Sequence, residues 1–156
     1  MLEFFVLEDE LDWLSNHESA IDAALTVAEF KRRTKVRDVK YAHHITHAAN
    51  YDQGVHKTAH KKFDAYVIDG RFPMHKDEEN KHLLGVEFVK YLMGEGIPAE
   101  RIFFVSSQYS MLEGAVGAGL LHVFKKYKVE NEEKLNPIVK LYRELPEALK
   151  STLQIK

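Results

Sequence analysis

The chain has 156 residues, 45% of them hydrophobic and 11% aromatic, enough to bury one sizeable core. Its 22 basic and 24 acidic residues are dispersed and leave a net charge of −2, which argues against a nucleic-acid or anionic-membrane partner. With no cysteine, disulfides and thiolate chemistry are excluded, and the start Met1-Leu2-Glu3-Phe4 has neither a basic n-region nor a long apolar stretch, so a soluble cytoplasmic protein is expected.

In chain order, Phe4 to Leu7 is a short run of aromatic and branched residues and reads as a buried strand. Residues 11 to 31 follow with Leu11, Leu14, Ile21, Leu25 and Ala28 near one helical face, Asp12 or Ser15 being candidate caps. Val36 to Ala42, where Val39 and Tyr41 alternate with charge, is a fainter strand candidate. Ala65 to Ile68 reads as a third strand, and His75 to His82 as an exposed polar loop. The spacing predicts a helix over 83–93, stopped at Gly94 or Gly96, and a fourth strand over Ile102 to Val105. A small apolar helix over 109–118 and a fifth strand over Leu121 to Phe124 complete the alternation. Beyond Asn136-Pro137, a cap with proline at the first helical position, Ile138, Leu141, Leu145 and Leu149 space a helix over 137–150. Alternating strands and helices imply an α/β fold, a doubly wound five-stranded parallel sheet with helices on both faces. Ligands in such sheets bind at the carboxyl ends of the strands.

At those ends stand Glu8-Asp9-Glu10, Asp69-Gly70, Ser106-Ser107 and Lys125-Lys126. Each has an ordinary structural explanation: a helix N-terminus, a turn, a helix cap, solvated charge. Together on one rim, the carboxylates form a hard oxygen site suited to Mg²⁺, and a lysine with a hydroxyl can hold phosphoryl oxygens, so phosphoryl transfer onto a carboxylate is implied. The i, i+4 pair His56 and His60 could offer Zn²⁺ two ligands from one helical turn but has no acidic third ligand nearby, and the histidines, including His43, His44 and His47, read as surface or loop residues.

These residues carry a family resemblance. Leu7-Glu8-Asp9-Glu10 resembles the acidic pair that closes the first strand of response-regulator receiver domains. Asp64 to Asp69 followed by Gly70-Arg71-Phe72-Pro73 is similar to their phosphoacceptor strand, and Phe103 to Ser107 to the strand ending in the switch hydroxyl. Leu84 to Phe88 resembles the opening of the third helix, Gly117-Ala118-Gly119 the glycine-alanine turn, and Val123-Phe124-Lys125-Lys126-Tyr127 the lysine-proline-aromatic ending of the fifth strand. The resemblance covers about residues 3 to 128, within a single domain spanning 1–156 whose residues 129–156 form a last helix and extension.

The resemblance implies that Asp69 is the phosphoacceptor and, with Asp9, a direct Mg²⁺ ligand, joined by the backbone carbonyl of Arg71 and, through water, by Glu8. It makes Lys125 the phosphoryl clamp, and Ser106 and His122 the switch pair. The implied protein is a stand-alone receiver, not an enzyme beyond its own phosphorylation and dephosphorylation, with a histidine kinase or phosphotransfer protein upstream, a protein target downstream and a homodimer as one arrangement. The sequence departs from the pattern at Lys126, where proline is usual; a cis bond there costs ~3 kcal/mol, so a trans bond or a rebuilt loop is expected. The segment 74–82 is an insertion expected beside the site, and the stretch from Asp9 to Asp69 is long. A degenerate receiver serving as a phosphorylation-independent interaction module is the alternative; a small-molecule phosphohydrolase would want an aspartate where Arg71 stands.

Overall fold

The computed structural model describes residues 1–31 and 35–155. Strand β1 (Leu2–Leu7) is flanked by β4 (His43–Ala48) and β5 (Ala65–Asp69), and β6 (Ile102–Ser106), β7 (His122–Lys125) and the short β8 (Lys140–Leu141) extend the sheet in the order β4-β1-β5-β6-β7-β8. All its pairs are parallel. The sheet therefore has six strands where five were expected.

Continuous apolar runs make the central strands because both faces are covered. Successive side chains alternate between two cores. Phe5, Leu7, Tyr66, Ile68, Phe104 and Val123 face α3 (Gly85–Gly94) and α4 (Tyr109–Gly117), with α2 (Tyr51–Thr58) packed beside them. Phe4, Val6, Val67, Phe103, Val105 and Phe124 face α1 (Leu11–Leu25) and α5 (Leu145–Thr152) through Ile21, Leu25, Leu145 and Leu149. Asn50 caps α2, its side chain accepting from the Gln53 N–H at 2.9 Å. Helix α3 ends where expected, and Gly96 at φ +90° supplies the left-handed turn beyond it.

Three expectations are corrected. The helix expected over 11–31 ends at Leu25, and an antiparallel hairpin follows, β2 (Thr26–Lys31) paired with β3 (Lys35–Lys40). Val36 to Ala42 is thus largely a hairpin arm, and the sheet's second strand is β4, paired Leu2↔His43 through Leu7↔Ala48. The helix expected over 137–150 begins at Leu145, because Lys140 and Leu141 pair their backbones with the edge of β7 first. Its proline at the helix start is accordingly Pro146, and Leu145 and Leu149 alone of the four expected face residues are fully buried.

Candidate functional site

Strand alternation decides which side chains meet at the carboxyl rim. Glu8, Asp69 and Lys126 continue the rows Phe4-Val6, Ala65-Val67 and Phe124, so they leave the sheet toward α1. Lys125 continues the opposite row with Val123 and forms an ion pair with Glu132. Lys126 is therefore the lysine at Asp69, in place of the expected Lys125: its Nζ stands 2.5 Å from Asp69 Oδ1 and 3.4 Å from Glu8 Oε1. The chain there is trans, as expected with Lys126 at the proline position.

Glu8, Asp9 and Asp69 each turn one oxygen into a group whose members lie within 4.8 Å of one another. Glu8 and Asp69 are buried, at 1% and 5% exposure. Among the described residues, Asp9 Oδ1 is a buried oxygen without a hydrogen-bond donor, and Asp69 Oδ1 is buried with the Lys126 ammonium as its neighbour. Asp69 Oδ2 accepts from the Arg71 N–H at 3.0 Å. Burial, and then the charge of Glu8, push the Asp69 carboxyl up to about 7 despite Lys126. Burial would raise Glu8 as well, but the hydrogen bond from His17 and the charge of Lys126 outweigh it and hold Glu8 below the usual carboxylate range. For Lys126, burial is overcome by Asp69 and Glu8, which keep the ammonium charged. Such converging carboxylates, one buried oxygen of which lacks a donor, suit an oxygen-loving divalent cation.

Ser106 is buried, its Oγ accepting from the Gln108 N–H at 3.0 Å. A Cβ on residue 70 would come within 2.6 Å of that Oγ, so Gly70 permits the hydroxyl's approach. Gly85 does the same for the α3 terminus, where a Cβ would lie 2.5 Å from the Asp69 carbonyl oxygen. Asp69, Ser106, Lys126, Trp13, Arg71 and Lys81 line a shared cleft of about 190 Å³.

His122 is not part of that cleft. It stacks on Phe103 with ring centroids 4.4 Å apart, and its Nε2 lies 3.3 Å from Thr152 Oγ1. Paired with Phe103, it stands three residues before Lys125, the partner of Ser106, or roughly 10 Å along the strand. The two residues named as a switch pair thus stand apart along neighbouring strands, and Ser106 lies against Gly70.

Three neighbours of the acids escaped the sequence reading. Lys81, delivered by the 74–82 loop, reaches Asp9 Oδ2 and Glu10 Oε1, each at 2.8 Å. The loop is pinned by the Phe72↔His82 bridge and by Glu78, which accepts from the Met74 and His75 N–H groups and contacts His82 Nε2 at 2.6 Å. Trp13 lies 4.4 Å under the Lys126 ammonium. His17 is wholly buried, with Nε2 3.1 Å from Glu8 Oε1, and burial lowers its proton affinity. The i, i+4 spacing of Trp13, His17 and Ile21 signalled a common face; no local signal marks Lys81.

No protein-family model and no curated protein matches the sequence. Solved structures do. A response regulator receiver domain protein from Clostridium thermocellum matches with a TM-score of 0.56 at 12% identity, over 99% of this chain and 95% of that one. The receiver domain of the sensor histidine kinase PA1611 from Pseudomonas aeruginosa PAO1, with a magnesium ion coordinated in its active-site cleft, matches at 0.54 and 15%, over 98% of each chain. A response regulator from Burkholderia pseudomallei, holding a phosphorylated aspartic acid, calcium and citrate, matches at 0.53 and 15%, over 100% of this chain and 76% of that one.

This chain has the receiver fold. In it the acids, Ser106 and Lys126 occupy the carboxyl rim where open parallel sheets bind ligands. Among the described residues no helix is long and apolar enough to cross a membrane.

Proposed function

We propose that the chain is a phosphoacceptor receiver domain of two-component signalling, modified on Asp69 in a Mg²⁺-dependent reaction and signalling by a change of surface. The convergence of oxygens from Glu8, Asp9 and Asp69 within 4.8 Å of one another, with the Lys126 ammonium held beside Asp69, carries this reading. Asp9 and Asp69 would hold the cation directly, with the Arg71 carbonyl, and Glu8 through water. Bound there, Mg²⁺ neutralises the carboxylates and offsets the negative charge of an incoming phosphoryl group.

The chain's own groups do the rest. An oxygen of ionised Asp69 attacks phosphorus on a phosphohistidine or small acyl phosphate; the new P–O bond replaces the P–N or P–O bond to the leaving group, which departs with its electron pair. Lys126 balances charge on the transferred oxygens, and Ser106 Oγ can donate to one of them. A histidine kinase or phosphotransfer protein supplies the phosphoryl group, and a protein target reads the result; a homodimer is one form such output takes. Catalysis is confined to the domain's own phosphorylation and dephosphorylation, within one domain spanning 1–156.

The degenerate receiver is the second reading, and one observation favours it: Lys81 and Lys126 already neutralise part of the acid cluster from within. Mg²⁺ titration of the wild type and of Asp9→Asn separates the two. Saturable binding lost in the variant is expected for the phosphoacceptor; no binding to the wild type would overturn it in favour of the interaction module.

A further inference from the structure

The acid site is wired to the C-terminal segment through a closed ring of side chains. Glu8 as a carboxylate can only accept, so His17 Nε2 carries the hydrogen of the 3.1 Å contact. The remaining ring nitrogen, Nδ1, takes the Tyr142 hydroxyl at 2.8 Å. Tyr142 opens the 3₁₀ turn Tyr142–Glu144 that joins β8 to α5. Its ring also stands edge-on to Trp13, centroids 5.1 Å apart, and Trp13 lies under the Lys126 ammonium. One residue of the C-terminal segment thus touches, through one intermediary each, both the carboxylate and the ammonium that flank Asp69.

We propose that His17 and Tyr142 are positioning residues that hold Glu8 in place, and that through them the β8–α5 segment senses what occupies the acid site. The proposal rests on the reading of that site as a cation and phosphoryl site. Glu8 and His17 are both wholly buried, so any shift of the Glu8 carboxylate must be followed by the ring that donates to it, and the ring's second nitrogen transmits the shift to Tyr142. Leu145 and Leu149 tie the turn's next residues to Ile21 and Leu25 of α1, the helix that bears His17, so the element that moves is packed as one body. Coupling of this kind is reciprocal: if cation binding alters the β8–α5 segment, an alteration there changes cation affinity by the same factor.

Tyr142→Phe removes one hydroxyl and keeps the ring against Trp13. The experiment measures Mg²⁺ affinity of the full chain by titration, together with the Mg²⁺-induced NMR shifts of the Leu145–Thr152 amides, in the wild type, Tyr142→Phe and Asp9→Asn. Expected are α5 shifts in the wild type, and in Tyr142→Phe an affinity lowered about two- to tenfold, as for one lost hydrogen bond, with those shifts diminished and the fold retained. Wild-type affinity and wild-type α5 shifts in Tyr142→Phe would overturn the coupling and leave the site assignment standing. Absence of Mg²⁺ binding in the wild type, or binding undiminished in Asp9→Asn, would overturn the site assignment and the coupling with it.

Discussion

Lys126 Nζ stands 2.5 Å from Asp69 Oδ1, while the side chain of Lys125, its immediate neighbour, turns to Glu132 on the other side of the sheet. Two adjacent lysines at a strand exit are chemically alike, and alternation alone separates their roles. Lys126→Met is expected to slow phosphorylation of Asp69 by at least about tenfold, the removal of one charge-assisted contact. Lys125→Met is expected to leave it within about twofold. Phosphorylation rates with a small acyl phosphate check this, and the reverse order of effects would return the clamp to Lys125.

Asp69 is expected to destabilise the cation-free fold near neutral pH. Its carboxyl is raised from 3.8 to about 7 by burial and by Glu8. Between those values the folded chain binds a proton that the unfolded chain has released, so stability falls as pH rises from about 4 to 7 and is fully retained below that window. Asp69→Asn removes this dependence and should be more stable than wild type by roughly 1–4 kcal/mol above pH 7, at about 1.4 kcal/mol per unit of pKa, with no gain at pH 4. Denaturant unfolding in chelator at both pH values measures it; an equal difference at both would detach the effect from Asp69 ionisation.

Lys81 competes with a cation for Asp9. It lies 2.8 Å from Asp9 Oδ2 with its side chain 29% exposed, so the pair has the modest strength of a partly screened ion pair. Lys81→Met should tighten Mg²⁺ binding about two- to fivefold, an effect that shrinks at high salt. Weaker binding in the variant would mean that the loop lysine builds the site.

Gly85 is expected to be far less tolerant than its neighbours on α3. An added Cβ meets backbone on two sides, the Asp69 carbonyl oxygen at 2.5 Å and Gly70 Cα at 2.6 Å, and neither can swing aside. Gly85→Ala should cost about 1–3 kcal/mol by overpacking, and in displacing the end of β5 should also weaken Mg²⁺ binding. A variant with wild-type melting and affinity would contradict the close approach.

The fold was legible where burial on both faces left no choice, as at Phe4–Leu7, Ala65–Ile68 and Ile102–Val105, each apolar at every position. It was illegible at β4, an edge strand carrying His43, His44 and His47, whose place comes from pairing with β1 and not from its own composition. Ala28 kept helical spacing beyond Leu25, and only the hairpin partner at 35–40 explains why the helix stops. At the site, Glu8, Asp9, Asp69 and Ser106 could be named because each closes a strand, and strand ends converge. Lys126 required following the alternation one residue past Phe124. Lys81 sits far from the acids in sequence and reaches them through a loop whose path is set by Phe72 and His82.

The central claim is that Asp69 accepts a phosphoryl group, and intact-mass analysis tests it most directly. Wild type and Asp69→Asn would each be incubated with acetyl phosphate, with Mg²⁺ and with chelator. A single added phosphoryl mass in the wild type with Mg²⁺, absent in chelator and absent in Asp69→Asn, is the expected result. No added mass in a folded wild type, or the same added mass in Asp69→Asn, would contradict it.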